Sequence, residues 1–281
     1  MRAPTPRETL AWFRRASVAA AVWTYLLHAS PIACPLEAAQ ARLDASDFES
    51  ALSELEECAV SPESARLKGL AYHGLYRADS AARYLRQAVE MGRDDDRVLI
   101  ALAETHLWGK RLRQAAPLLD KVRDRQAPAY LRALALRQEQ QDNFPEALAL
   151  YNSALEKESG DGATLFRKAM LFSWMRRLDE SIALYTRLIG DTSFPEAFRI
   201  RCRVRRAEVM AWNKEPQPAE RELREVLRVD PRNVDALLRL GELLEWRSNY
   251  REAKDTYRDA LVIEPENREA REKLKGLLWV K

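Results

Sequence analysis

Along the 281-residue chain, apolar and small residues return at helical spacing in runs of about a dozen, each closed by a short polar break. Leu165, Ala169 and Phe172 share one face of a helix, and Ser181, Tyr185 and Leu188 share one face of the next. The same two-run unit recurs seven times, marked by a pair of small residues twelve apart. The pairs are Ala39/Ala51, Gly69/Ala81, Ala103/Ala115, Ala135/Ala147, Ala169/Ser181, Ala207/Ala219 and Gly241/Ala253. Successive first marks lie 30, 34, 32, 34, 38 and 34 residues apart.

Each unit therefore predicts two amphipathic helices, each with one apolar stripe. Small residues let the helices approach where they cross, and Leu55, Leu85, Leu119, Tyr151, Tyr185, Leu223 and Tyr257 fill the space beside them. One pair cannot bury both stripes, so neighbouring pairs must stack. Alternating Val/Ile/Thr-rich strand patterns bounded by turns are missing, apart from Arg199 to Arg206, which the repeat register assigns to a helix. With 47% apolar residues and only 9 Gly, the composition agrees with an all-α chain holding a large core.

In the last copy, Leu237, Leu240, Gly241, Leu244, Ala253, Tyr257, Ala260 and Pro265 stand in the order and spacing of the tetratricopeptide repeat, and the chain resembles that family from about Pro35 to Glu266. Pro231 closes the sixth copy as Pro265 closes the seventh, each ending a second helix without loss of an interior bond. The resemblance implies a right-handed superhelical solenoid of antiparallel helix pairs over residues 34–266, about seven repeats, whose first helices line a concave face. Residues 267–281 predict a capping helix with Ala270, Leu274, Leu277, Leu278 and Trp279 on one stripe. A docking helix for a partner is the other reading of that stripe.

Residues 1–33 are of another kind. Arg2, Arg7, Arg14 and Arg15 precede the apolar run from Ala16 to Leu27, which breaks at His28 to Pro31. This resembles a secretory signal peptide, with an uncleaved anchor as the second reading, because a dozen apolar residues fall short of the roughly 20 a membrane helix takes. An N-terminal helix packed on the first repeat is a third.

Cys34 falls at the start of the first helix and Cys58 near the end of the second, ends that lie side by side in an antiparallel pair, so a disulfide is geometrically reasonable. Two alternatives stay open. Cys34 could be the lipidated first residue of a lipoprotein, or Cys58 could only fill the small-residue position held elsewhere by Ala88, Ala154 and Ala260. Cys202 has no evident partner and reads as a buried small residue.

The 46 basic and 43 acidic residues are interspersed, which predicts a solvated surface and argues against a nucleic-acid binder. The strongest local excess, Arg199, Arg201, Arg203, Arg205 and Arg206, reads as a helix face with local carboxylate partners. His73 and His106 lack neighbours at metal-ligand spacing, and neither a phosphate loop nor a Gly-x-Ser-x-Gly elbow occurs. The sequence predicts no enzyme, cofactor or metal site.

A second pattern is embedded in the first. Trp108, Trp174, Trp212 and Trp246 each stand five residues after the first mark of their own copy, and Glu104, Glu208 and Glu242 each precede one of them by four. Two readings compete: each Trp packs against a turn or the next unit, or the set forms a ladder of indole and carboxylate that binds a partner. Such a ladder suits basic or aromatic peptide segments and also sugars. A groove that holds a terminal carboxylate is not expected, because the corresponding inner positions carry Ile100, Phe166, Val204 and Leu238. The run from Phe172 to Ser181 is similar to repeat arrays of bacterial envelope proteins, including those that accompany exopolysaccharide export. The expectation is a non-catalytic, exported scaffold of the periplasm or cell envelope that binds a protein partner on its concave face. The alternative is an accessory to polysaccharide export, and membrane contact would come through residues 1–33 or lipidation.

Overall fold

The computed structural model describes residues 34–277. The expectations for residues 1–33, Leu278 and Trp279 lie outside them. The described residues form fifteen helices and no strand, and the chain divides between Arg93 and Asp94 into two compact units. The first unit contains α1 (Leu36–Asp44), α2 (Phe48–Glu54), α3 (Pro62–Gly74) and α4 (Ala78–Glu90). The second begins with α5 (Asp96–Trp108), α6 (Leu112–Asp120), α7 (Pro128–Glu139), α8 (Phe144–Lys157), α9 (Gly162–Trp174) and α10 (Leu178–Gly190). It continues with α11 (Glu196–Trp212), α12 (Pro216–Val229), α13 (Val234–Trp246), α14 (Tyr250–Ile263) and α15 (Arg268–Gly276). The seven pairs expected from the repeat, and the helix after them, are all present.

The small marks sit at the helix crossings. All fourteen are buried, as are the seven larger residues beside them. The close approach is quantitative at two glycines: a Cβ on Gly69 would stand 2.7 Å from Leu85, and one on Gly241 would stand 2.5 Å from the Tyr257 ring. Ser181, the one polar mark, donates its hydroxyl to the Ala169 carbonyl at 2.7 Å, so its burial leaves no orphaned group.

Every first helix ends in the same turn. The residue seven after the mark lies in the left-handed region, at φ between 56° and 64°, and the next N–H donates to the carbonyl five residues back, as in Arg111 to His106 and Arg177 to Phe172. This six-to-one bond with a left-handed residue is the Schellman helix stop. Glycine suits that place best, yet the chain uses Ser46, Tyr76, Lys110, Asp142, Arg176, Lys214 and Ser248. Four of the seven first helices start on a side-chain cap, from Ser61, Asp95, Asp161 and Asn233.

At the first pair, α2 stops at Glu54, so Cys58 lies in the following loop rather than near the helix end. A disulfide joins Cys34 to Cys58, with Cα atoms 5.2 Å apart. At the other end, Asn267 caps α15, Ala270 and Leu277 are buried, and Leu274 packs on the core shared with Leu244 and Tyr257.

Candidate functional site

On each first helix, the residues six and two before the mark and one and five after it fall on one stripe. In α5 these are Arg97, Ala101, Glu104 and Trp108, and in α9 Ala163, Arg167, Met170 and Trp174. In α11 they are Arg201, Arg205, Glu208 and Trp212, and in α13 Asp235, Arg239, Glu242 and Trp246. The set singled out from the sequence is thus placed on one register of the second unit.

Its carboxylates are engaged by arginines and a lysine. Glu104 is 2% exposed and accepts from Arg132 at 2.7 Å, while Arg132 also reaches Asp161 at 2.8 Å, so one guanidinium links three consecutive repeats. Arg205 pairs with Glu208 at 2.9 Å and with Asp235 at 3.1 Å. Arg239 pairs with its own Glu242, with Glu269 at 2.5 Å, and more loosely with Glu208 at 3.8 Å. Lys273 of α15 holds Glu242 at 3.0 Å. Burial works against the Arg239 charge, but Glu242, Glu208, Glu269 and Asp235 more than offset it and hold its pKa above the ordinary arginine value. These bonds tie one repeat to the next, and a half-buried pair broken on one side leaves an uncompensated charge.

The tryptophans divide two and two. Trp174 is 40% exposed and Trp246 is 62% exposed, whereas Trp108 and Trp212 are half-buried. Trp212 packs on the cluster that holds Phe166, Cys202 and Val209, and the Arg167 guanidinium lies 5.5 Å from the Trp108 ring. Between Trp212 and Trp246, with Glu208, Arg239 and Glu242 beside them, is a depression of about 30 Å³. That holds a water or two, not a small-molecule ligand, so the arrangement offers surface rather than a pocket.

Ile100, Phe166, Val204 and Leu238 do not face a groove, contrary to the sequence expectation. They are 1–5% exposed, because the residue three before the mark packs into the core; Val204 and Leu238 belong to one cluster and Phe166 to another. Cys202 is fully buried, and burial pushes its thiol up to about 12. The arginine-rich α11 finds carboxylates at Arg205 and at Arg206, which pairs with Glu222 at 2.5 Å. Among the described residues, no group of three or more His, Cys, Asp or Glu is placed to hold a metal, and no helix is long and apolar enough to cross a membrane.

Two features escaped the sequence reading. One is the inter-repeat ion pairs, whose trace is opposite charge at steps of about 30 residues: Arg132/Asp161, Arg205/Asp235 and Arg239/Glu269. The other is a buried carboxyl, Glu139, which is 4% exposed and accepts from the Tyr151 hydroxyl at 2.6 Å. Burial raises its pKa to about 7, against the opposing pull of Arg167 and the Tyr151 bond. Glu245 and Tyr257 repeat the pairing in the seventh copy.

Models of the tetratricopeptide repeat match residues 72–137 and 215–268. No curated protein matches the sequence. Among solved structures, the fold is similar to that of the APC/C hetero-tetramer Cut9-Hcn1, with a TM-score of 0.58 and 13% identity over 91% of this chain and 58% of that one. It is similar to a tetratricopeptide repeat protein from Parabacteroides merdae, with a TM-score of 0.59 and 15% identity over 86% of this chain and 96% of the other. Pseudomonas aeruginosa pilF gives a TM-score of 0.51 and 20% identity, over 65% of this chain and 88% of its own. The chain spans 58% of the length of the first of these, and at such identities the likeness is one of fold.

Proposed function

We propose, from the premise that this chain is a tetratricopeptide-repeat protein and thus a scaffold for protein interaction, that it is a non-catalytic adaptor of the cell envelope. It takes a protein partner along the first-helix stripe of residues 94–277, with Trp174 and Trp246 as the leading contacts. The observation that carries this reading is their exposure, at 40% and 62%, in a register where the equivalent Trp108 and Trp212 are half-buried. Large indoles left open next to fixed charge give contact area at low entropic cost. The glutamates of the set serve the partner indirectly, by holding the repeats in register through Arg132, Arg205 and Arg239. Export is supported by the Cys34–Cys58 disulfide, which persists in an oxidising compartment, together with the leader-like residues 1–33.

The test is the pair Trp174→Ala and Trp246→Ala in one chain, set beside Trp212→Ala. The double variant should keep its melting temperature within a degree or two, as surface changes do, and lose the partner that the parent retains from envelope extract. Trp212→Ala should melt lower, because its ring packs on the core. An undiminished partner on the double variant overturns the reading. The glycan-handling alternative requires hits on a glycan array, and an array without them removes it.

A further inference from the structure

The four tryptophans have a companion that the partner reading does not use. In the third, fifth and sixth repeats the left-handed turn residue, two places after the Trp, is a cation: Trp108/Lys110, Trp174/Arg176 and Trp212/Lys214. In the seventh, Arg247 follows Trp246 directly. Lys110, Arg176, Lys214 and Arg247 are all exposed. A left-handed conformation is unfavourable for a long side chain, and glycine or asparagine is the usual solution. Three long cations in it, each beside a register-locked indole, point to a use for the side chain rather than the backbone.

The turns of the five repeats in residues 94–277 run from the Trp position to four residues beyond it, at 108–112, 140–144, 174–178, 212–216 and 246–250. They contain six cations, Lys110, Arg111, Arg176, Arg177, Lys214 and Arg247, against two acids, Asp142 and Glu215. Arg177 pairs with Glu180 and Arg247 with Glu220, so the positive excess of this edge rests on Lys110, Arg111, Arg176 and Lys214. Exposed indoles beside lysine and arginine match the chemistry of a bilayer interface, where the ring sits at headgroup level and each cation gains from anionic lipid.

We infer that this turn edge lies against an anionic lipid surface, with Trp174 and Trp246 entering the headgroup layer and Lys110, Arg176 and Lys214 pairing with lipid phosphates. Because Trp174 and Trp246 are also the leading contacts of the proposed partner, lipid and partner compete for them, and anionic vesicles should lower partner capture by the parent chain.

The test compares the full chain with a Lys110→Asn, Arg176→Asn, Lys214→Asn variant. Asparagine tolerates the left-handed conformation, so the variant keeps its fold. Both are sedimented with vesicles of phosphatidylcholine containing phosphatidylglycerol and with phosphatidylcholine alone. Residues 1–33 are identical in the two chains, so the difference reads only the edge. The expected result is a fall in partition on the order of a hundredfold on anionic vesicles, from three lost cations, with partner capture unchanged in the absence of vesicles. Lipids brominated near the headgroup should quench parent fluorescence, and quenching should drop in a Trp174→Phe, Trp246→Phe chain. Equal partition of parent and Asn variant, or a parent that binds neutral and anionic vesicles alike, overturns the inference.

Discussion

The first helix pair, in residues 34–93, and the seventh, in residues 94–277, are built on one repeat but secured by different chemistry. α1 and α2 are nine and seven residues long, no side chain caps the start of α1, and a disulfide joins the segments that flank the pair. α13 and α14 are thirteen and fourteen residues long, share a core that includes Leu223, Leu244 and Tyr257, and are tied by Arg239 and Lys273 to the neighbouring helices. Helix pairs of a repeat array gain most of their stability from neighbours. The short pair buries less apolar surface, and a covalent bond offsets the difference by restricting its unfolded state.

The largest expected effect breaks that comparison at its covalent end. The cysteines are 24 positions apart, and closing a loop of that size contributes about 3 kcal/mol in the chain-entropy model. A Cys34→Ala, Cys58→Ala chain should therefore lose amide protection across α1 and α2 in hydrogen exchange, while α13 and α14 keep theirs. Unchanged protection in α1 and α2, or an equal loss in both pairs, would show that the bond is incidental to local stability.

The crossings were legible in the sequence because sterics leave no choice there: a Cβ at Gly241 meets the Tyr257 ring, so the small-residue pairs record the geometry directly. The tryptophan register was legible for the same reason, as a fixed offset from those marks. What each Trp touches was not, since exposure depends on the adjacent repeat; Trp212 is covered by the Phe166 cluster while Trp246 is open. The inter-repeat carboxylate partners of Arg205 and Arg239 were missed because they lie about 30 residues away, beyond any i, i+4 argument. Ile100, Phe166, Val204 and Leu238 were misplaced because an apolar residue three before the mark serves the stack and not a groove.

A smaller effect sharpens the electrostatic half of the comparison. Glu139, buried beside Tyr151, titrates near 7 in the folded chain against about 4.5 for an ordinary glutamate. Its raised value means the folded state holds the proton more tightly than the unfolded chain does. Below pH 4.5 both states are protonated and the group costs nothing. Between about 4.5 and 7 the unfolded chain ionises first, so stability falls as pH rises, and above 7 the full penalty of roughly 3 kcal/mol remains. Glu139→Gln stays neutral, and its carbonyl still accepts from the Tyr151 hydroxyl. Denaturant midpoints at pH 5 and pH 8 should show the variant gaining on the parent at the higher pH, and a parallel pair of profiles would refute the assignment. Residues 34–93 have no equivalent buried carboxyl, so protection in α1 to α4 should not follow this change.

The smallest effect tests whether the two regions share anything beyond topology. Ser46 and Lys214 end first helices in the first and sixth pairs, and both lie in the left-handed region, at φ of 58° and 64°. For a residue with a Cβ that conformation costs about 1–2 kcal/mol, of which glycine recovers the greater part after its own loss of backbone entropy, a net gain of about 0.5–1 kcal/mol. Both side chains are exposed, so neither substitution removes a packing contact. Ser46→Gly and Lys214→Gly should each raise the denaturant midpoint by a similar small amount, because the turn is closed by the same six-to-one bond, Asp47 to Arg42 in one case and Glu215 to Met210 in the other. Equal gains mean the turn is one device used in both regions, whatever else secures them. A gain at Ser46 with none at Lys214 would mean that the lysine side chain, in the free protein, already offsets the strain of its own backbone.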